Sequence, residues 1–108
     1  MEMTYRFRIK PGQSGAFVEW TKQQEASPPK APDGWTYKGT YFVVQGFGDF
    51  DAEARWELDD YGALGNAGGS DEWEQANREF FETFYDDRFP GTQALMKSAD
   101  DVYVPEGW

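Results

Sequence analysis

The 108-residue sequence contains neither histidine nor cysteine. Their absence excludes Ser-His-Asp triads, Cys-His nucleophiles and ordinary zinc sites, and it leaves Asp, Glu, Tyr and Lys for any proton transfer. No disulfide can form, so cysteine usage says nothing of the redox compartment. Basic residues are scarce as well: ten Lys and Arg stand against twenty Asp and Glu, for a net charge of −10 and a pI near 4.3. Such a surface repels phosphate backbones and anionic lipid head groups, so neither nucleic acid nor membrane is an expected partner. No apolar run approaches the ~18 residues of a membrane span. The opening "MEMTYRFRIK" is charged and alternating, without the apolar stretch of a signal peptide. A cytoplasmic location is the resulting expectation.

Aliphatic residues are few. Val, Ile and Leu together number nine, as does Phe, a share below the ~20% that accompanies disorder in highly charged chains. Rings make up the shortfall. Five Trp and six Tyr join the nine Phe, and each buried ring removes roughly 150–250 Å² from water. An ordered, ring-rich core is predicted, and the same lining is typical of pockets for flat organic ligands. The length suits a single domain spanning 1–108. A chain this short buries only about two-thirds of its unfolded surface, so association with a second copy would add stability.

Met3, Tyr5, Phe7 and Ile9 alternate with Glu2, Thr4, Arg6, Arg8 and Lys10, which predicts a strand with one buried face, ended by Pro11 and Gly12. In "QSGAFVEWTKQQEA" a short helix is expected, capped by Ser14, with Ala16, Phe17, Trp20 and Gln24 on one face. "SPPKAPDG", residues 27–34, holds three prolines and reads as an extended connector. Residues 35–45 are β-rich. Ala52, Ala54, Trp56 and Leu58 then alternate with Glu53, Arg55, Glu57 and Asp59, and the intervening "GFGDF" supplies turn glycines for a hairpin. "GALGNAGGS" reads as a loop. Trp73, Ala76, Asn77, Phe80, Phe81, Phe84 and Tyr85 follow at helical spacing, with Asp71 and Glu74 as an expected capping box. "TQALMKSADDVYVP" is expected to give a last, interrupted strand.

The order β-α-β-β-α-β predicts an α+β, ferredoxin-like domain, a four-stranded antiparallel sheet with two helices on one face. First and third strands would be central neighbours. Tyr5, Phe7, Ile9, Ala54, Trp56 and Leu58 would meet the helices, and Arg6 and Arg8 would lie near Glu53, Arg55 and Glu57 on the opposite face.

Metal and phosphate motifs fail on inspection. Asp49, Asp51 and Glu53 have the spacing of a calcium loop's first ligands, but Ala54 and Asp60 stand where that loop requires glycine and glutamate. Gly46 and Gly48 lead into a strand, not a helix, which breaks the dinucleotide fingerprint. Gly65, Gly68 and Gly69 do precede a helix, yet Asp71, Glu72 and Glu74 in its first turn oppose an anion. Neither metal nor cofactor is expected. Two sets of residues remain. Arg6, Arg8, Arg55, Glu53 and Glu57 form either a polar ligand site or a cross-strand charge ladder worth about 0.2–1 kcal/mol per pair. Asn77, on an otherwise apolar stripe, must find hydrogen-bond partners or cost roughly 1–3 kcal/mol. It either bonds to backbone or orients a small molecule among Trp73, Trp56, Tyr41 and Phe80.

"YRFRIKPGQSGAFVEW", "GTYFVVQGFGDFDAEARWELDDY" and "EWEQANREFFETF" together cover most of the chain. In order and length they resemble the dimeric α+β barrel superfamily, which includes the antibiotic-biosynthesis monooxygenases and the NIPSNAP-like and EthD-like proteins. The resemblance implies a homodimer in which two sheets join into a barrel. It also implies pocket positions for Asn77 and Trp73, with Trp56 facing them. Members range from cofactor-independent oxygenases and haem-degrading enzymes to proteins without known activity, and the missing histidine removes both an axial haem ligand and a His acid or base. The expected function is binding of a small aromatic or apolar metabolite. The alternatives are a cofactor-independent oxygenase acting on an activated aromatic substrate and a non-catalytic assembly module with a filled core.

Overall fold

The computed structural model describes residues 1–45, 49–66 and 68–107. The turn expected at Gly46 and Gly48 lies outside the described residues. The chain forms β1 (Glu2–Phe7), α1 (Ser14–Ala26), β2 (Trp35–Phe42), β3 (Ala52–Leu58), a 3-10 turn (Tyr61–Gly65), α2 (Asp71–Glu79) continued by a π turn (Phe80–Phe84), and β4 (Thr92–Met96). A short 3-10 turn, Ala99–Asp101, follows. This is an α+β arrangement with an open, wholly antiparallel sheet in the order β2-β3-β1-β4.

Period-2 alternation sorts most of the two central strands, with Thr4 and Glu53 buried on the polar side. Met3 and Phe7 of β1 and Ala52 and Leu58 of β3 are buried, while Arg6, Arg55 and Glu57 are exposed. The register sets Phe7 against Ala52, Tyr5 against Ala54 and Met3 against Trp56. Against this apolar face pack Phe17 of α1 and Phe84 after α2, joined by Trp20, Phe42 and Phe80. Phe17 is the centre of that cluster, with Phe7, Phe42, Phe80 and Phe84 at ring-centroid distances of 5.6, 5.6, 5.7 and 5.2 Å. A second cluster of Met3, Leu58 and Ala63 is flanked by Trp35 and Trp56.

Several local expectations need correction. The residue preceding α1 is Gln13, which makes no side-chain cap, and Ser14 is the helix's first residue. The inner side of that helix is Phe17 and Thr21, and Ala16 faces solvent. Before α2 the cap is Ser70, whose hydroxyl accepts from the Trp73 N–H, so Asp71 sits inside the first turn and no capping box forms. The presumed loop after β3 contains the Tyr61–Gly65 turn, capped by Asp60 through the Ala63 N–H. The last strand stops at Met96, and a turn, not a second strand segment, follows. Among the described residues, no helix is long and apolar enough to cross a membrane.

Candidate functional site

Where α1, α2 and the apolar sheet face converge, the side chains leave a cavity of about 470 Å³. Small residues make the room. Ala54 on β3 and Ala76 on α2 line it where large rings would close it. At one end Trp35, Trp56 and Trp73 meet edge to face, with centroids 5.6, 5.1 and 6.1 Å apart. Tyr37 adds its ring 5.0 Å from Trp56. Phe17, Trp20 and Phe80 close the other end. This falls within the ~300–1,000 Å³ and the mainly aromatic lining usual for organic ligands.

Two glycines shape the cavity wall. Gly39 holds φ +125 at a bulge in β2, where the register slips between Tyr37 and Gly39. One inserted residue exchanges the faces of everything after it. Tyr37 and Thr40 therefore both line the cavity, whereas Tyr41 lies on the opposite face with its ring 4.0 Å beneath the Arg55 guanidinium. Gly69, at φ +97, lies under Trp73, where a Cβ would come within 2.6 Å of the indole. The absence of that carbon lets the indole lie against the loop that leads into α2.

Of the residues expected from sequence to form a pocket, the structure brings Asn77, Trp73, Trp56 and Phe80 together on the cavity wall and sends Tyr41 to the other face. Asn77 Nδ2 donates to the Trp73 carbonyl at 2.8 Å, which uses one of its two amide N–H groups within its own helix and leaves Oδ1 as an acceptor. Trp20, Trp35, Tyr37 and Thr40 are among the other lining residues; the sequence marked Trp20 only as an inner-face helix residue and gave no sign that the other three join the site. The Gly39 turn signal could have flagged the last two.

Polar groups are interspersed among the rings. Tyr37 donates to Glu25 Oε2 at 3.3 Å and shares a hydrogen bond with the Thr40 hydroxyl. Burial, opposed by the Thr40 bond and aided by the Glu25 carboxylate, pushes its phenol up to about 12. Burial also pushes Tyr5 upward, reinforced by Tyr85. Both tyrosines are thus neutral donors at physiological pH, unsuited to act as bases. The Trp20 indole N–H and the Thr21 hydroxyl, on two residues that line the cavity, are buried without a partner among the described residues. Among the described residues, none that lines the cavity is charged.

The opposite sheet face carries the second set. Arg6 Nε and Arg55 Nε donate to the two oxygens of Glu53 at 2.8 and 2.7 Å. The Glu53 carboxylate is almost wholly buried, and burial alone would raise it, but the two guanidiniums more than offset this and hold it below the usual carboxylate range. Arg6 also lies 4.9 Å from the Phe50 ring. The expected ladder is only partly realised. Arg8 reaches Asp51 at 3.9 Å, and Glu57 pairs with Lys38 at 3.7 Å. Asp51 accepts from the Ile9 N–H and Glu53 from its arginines, so both carboxylates already have partners. Among the described residues, no three Asp or Glu gather as a metal site would require.

No family model, curated protein or solved structure matches the chain.

Proposed function

We propose that this protein binds a small, flat, largely apolar organic ligand in the cavity between sheet and helices. The observation that carries the reading is a 470 Å³ space walled by rings and bearing no charged side chain. A filled core would suit the assembly-module reading better. The cavity groups offer hydrogen bonds but no general base, which favours binding over catalysis. A cofactor-independent oxygenase would have to draw its reactivity from the substrate itself.

The proposal extends to assembly. The strand order β2-β3-β1-β4, with helices after β1 and β3, suits a ferredoxin-like subunit, and its open sheet face suits pairing with a second copy into a dimeric α+β barrel. Support comes from that face itself: the buried Glu53 between two arginines, with Tyr41 and Met96 each nearly half exposed, resembles an interface patch more than a solvated ladder.

Indole titrated into ¹⁵N-labelled protein tests the cavity. The side-chain N–H signals of Trp20, Trp35, Trp56 and Trp73 are expected to shift together, and Trp56→Ala is expected to weaken the effect about tenfold or more, ~1.4 kcal/mol. Titration that moves none of the four would overturn the reading.

A further inference from the structure

The charge around the cavity is as informative as its lack of charge within. A shallower recess continues from it over Gln24, Pro28, Pro29 and Ala76, and there the wall becomes polar, with Glu72 and Glu79 of α2 facing Lys30 of the connector. Glu25, hydrogen-bonded to Tyr37, adds a third carboxylate beside the cavity. Three acids against one base thus lie beside the cavity of a protein whose net charge is −10. The potential there draws cations and repels anions.

Inside, nothing would neutralise an anion, since the wall holds no Arg or Lys. Nothing would replace the water shell of a small, hard cation either, since it holds no carboxylate. Ring faces remain, and Trp35, Trp56, Trp73 and Tyr37 concentrate them at one end. Indole and phenol faces attract diffuse organic cations, and this is how quaternary ammonium groups are recognised in aromatic cages. Asn77 adds an amide oxygen as acceptor, since one of its two N–H groups goes to the Trp73 carbonyl and Oδ1 is left over.

From this juxtaposition of aromatic rings within and carboxylates in the adjoining recess, we propose that the ligand is a lipophilic organic cation of the quaternary or aryl-ammonium class. Its apolar body fills the cavity, and its charge lies against the tryptophan faces toward Glu72 and Glu79. The inference rests on the cavity being a binding site. It adds the sign of the ligand's charge.

The test compares phenyltrimethylammonium with its uncharged carbon isostere, tert-butylbenzene, each titrated into ¹⁵N-labelled protein at low and high salt. The two probes share shape and apolar area, so the difference in affinity isolates the charge. The cation is expected to bind at least about tenfold more tightly, ~1.4 kcal/mol. That advantage shrinks at high salt, as screening of the recess carboxylates requires, and the double variant Glu72→Gln, Glu79→Gln narrows it in the same way. Equal affinity for the two probes, or tighter binding of tert-butylbenzene, overturns the preference for a cation and leaves the binding cavity standing. If neither probe moves the tryptophan signals, the binding reading falls together with the inference.

Discussion

Gly69 supports Trp73 by having no side chain: a Cβ at that position would come within 2.6 Å of indole Cδ1 and 3.1 Å of the Lys30 carbonyl. Gly69→Ala therefore forces the indole toward the cavity and strains a backbone at φ +97. A destabilisation of roughly 1–3 kcal/mol is expected from overpacking and the left-handed conformation together. Urea denaturation measures it, and a shifted Trp73 side-chain N–H signal shows that the ring has moved.

The bulge at Gly39 assigns two neighbouring tyrosines to opposite faces. Within the subunit Tyr41→Leu removes the contact with Arg55, for a stability loss of about 0.5–1 kcal/mol, and leaves indole binding unchanged. Tyr37→Leu strips a ring from the cavity wall and is expected to weaken indole about tenfold, ~1.4 kcal/mol. The two affinities, measured side by side, check which face each ring occupies.

Glu53 is a source of acid sensitivity. Its carboxyl lies below its ordinary value in the folded protein because Arg6 and Arg55 outweigh the effect of burial. The stability it contributes is therefore present above the unfolded carboxylate value of about 4.3 and is lost as pH falls from there through the folded one. Glu53→Gln is expected to cost roughly 2 kcal/mol at neutral pH, between the values for exposed and fully buried pairs. It should also flatten the acid limb of stability against pH. Urea midpoints at a series of pH values give both numbers.

At the alkaline end the corresponding group is Tyr37. A folded value raised to about 12 from the ordinary 10.0 means that its contribution is intact below about pH 10 and is lost as pH rises between the two. Tyr37→Phe gives up the hydrogen bonds with Glu25 and Thr40, each worth about 1 kcal/mol at neutral pH. In return it should be less sensitive over that alkaline window, which the same denaturation series reads.

Much of this was legible in the sequence because strands advertise a buried face by strict alternation. Met3 and Phe7 against Arg6, and Ala52 and Leu58 against Glu57, gave β1 and β3 their inner sides, and Trp73, Asn77 and Phe80 gave α2 its inner stripe. What escaped depends on single residues that break a period. Gly39 inserts one position into β2, and alternation read through it places Tyr41 inside and hides Thr40. Ser70 and Asp71 are both good cap residues, and only backbone geometry chose the serine. Trp20 and Tyr37 reach the cavity from elements distant in sequence, so no local pattern pairs them. The buried arrangement of Glu53 was visible as charge on one face, but its choice of Arg6 and Arg55 over the other arginine was not.

Native mass spectrometry of the purified protein tests the central claim most directly, since one spectrum reads oligomeric state and retained small molecules together. The account predicts a dimer that carries additional non-covalent mass, released on activation as an organic cation. A bare monomer would contradict both the pairing through the open sheet face and the occupancy of the cavity.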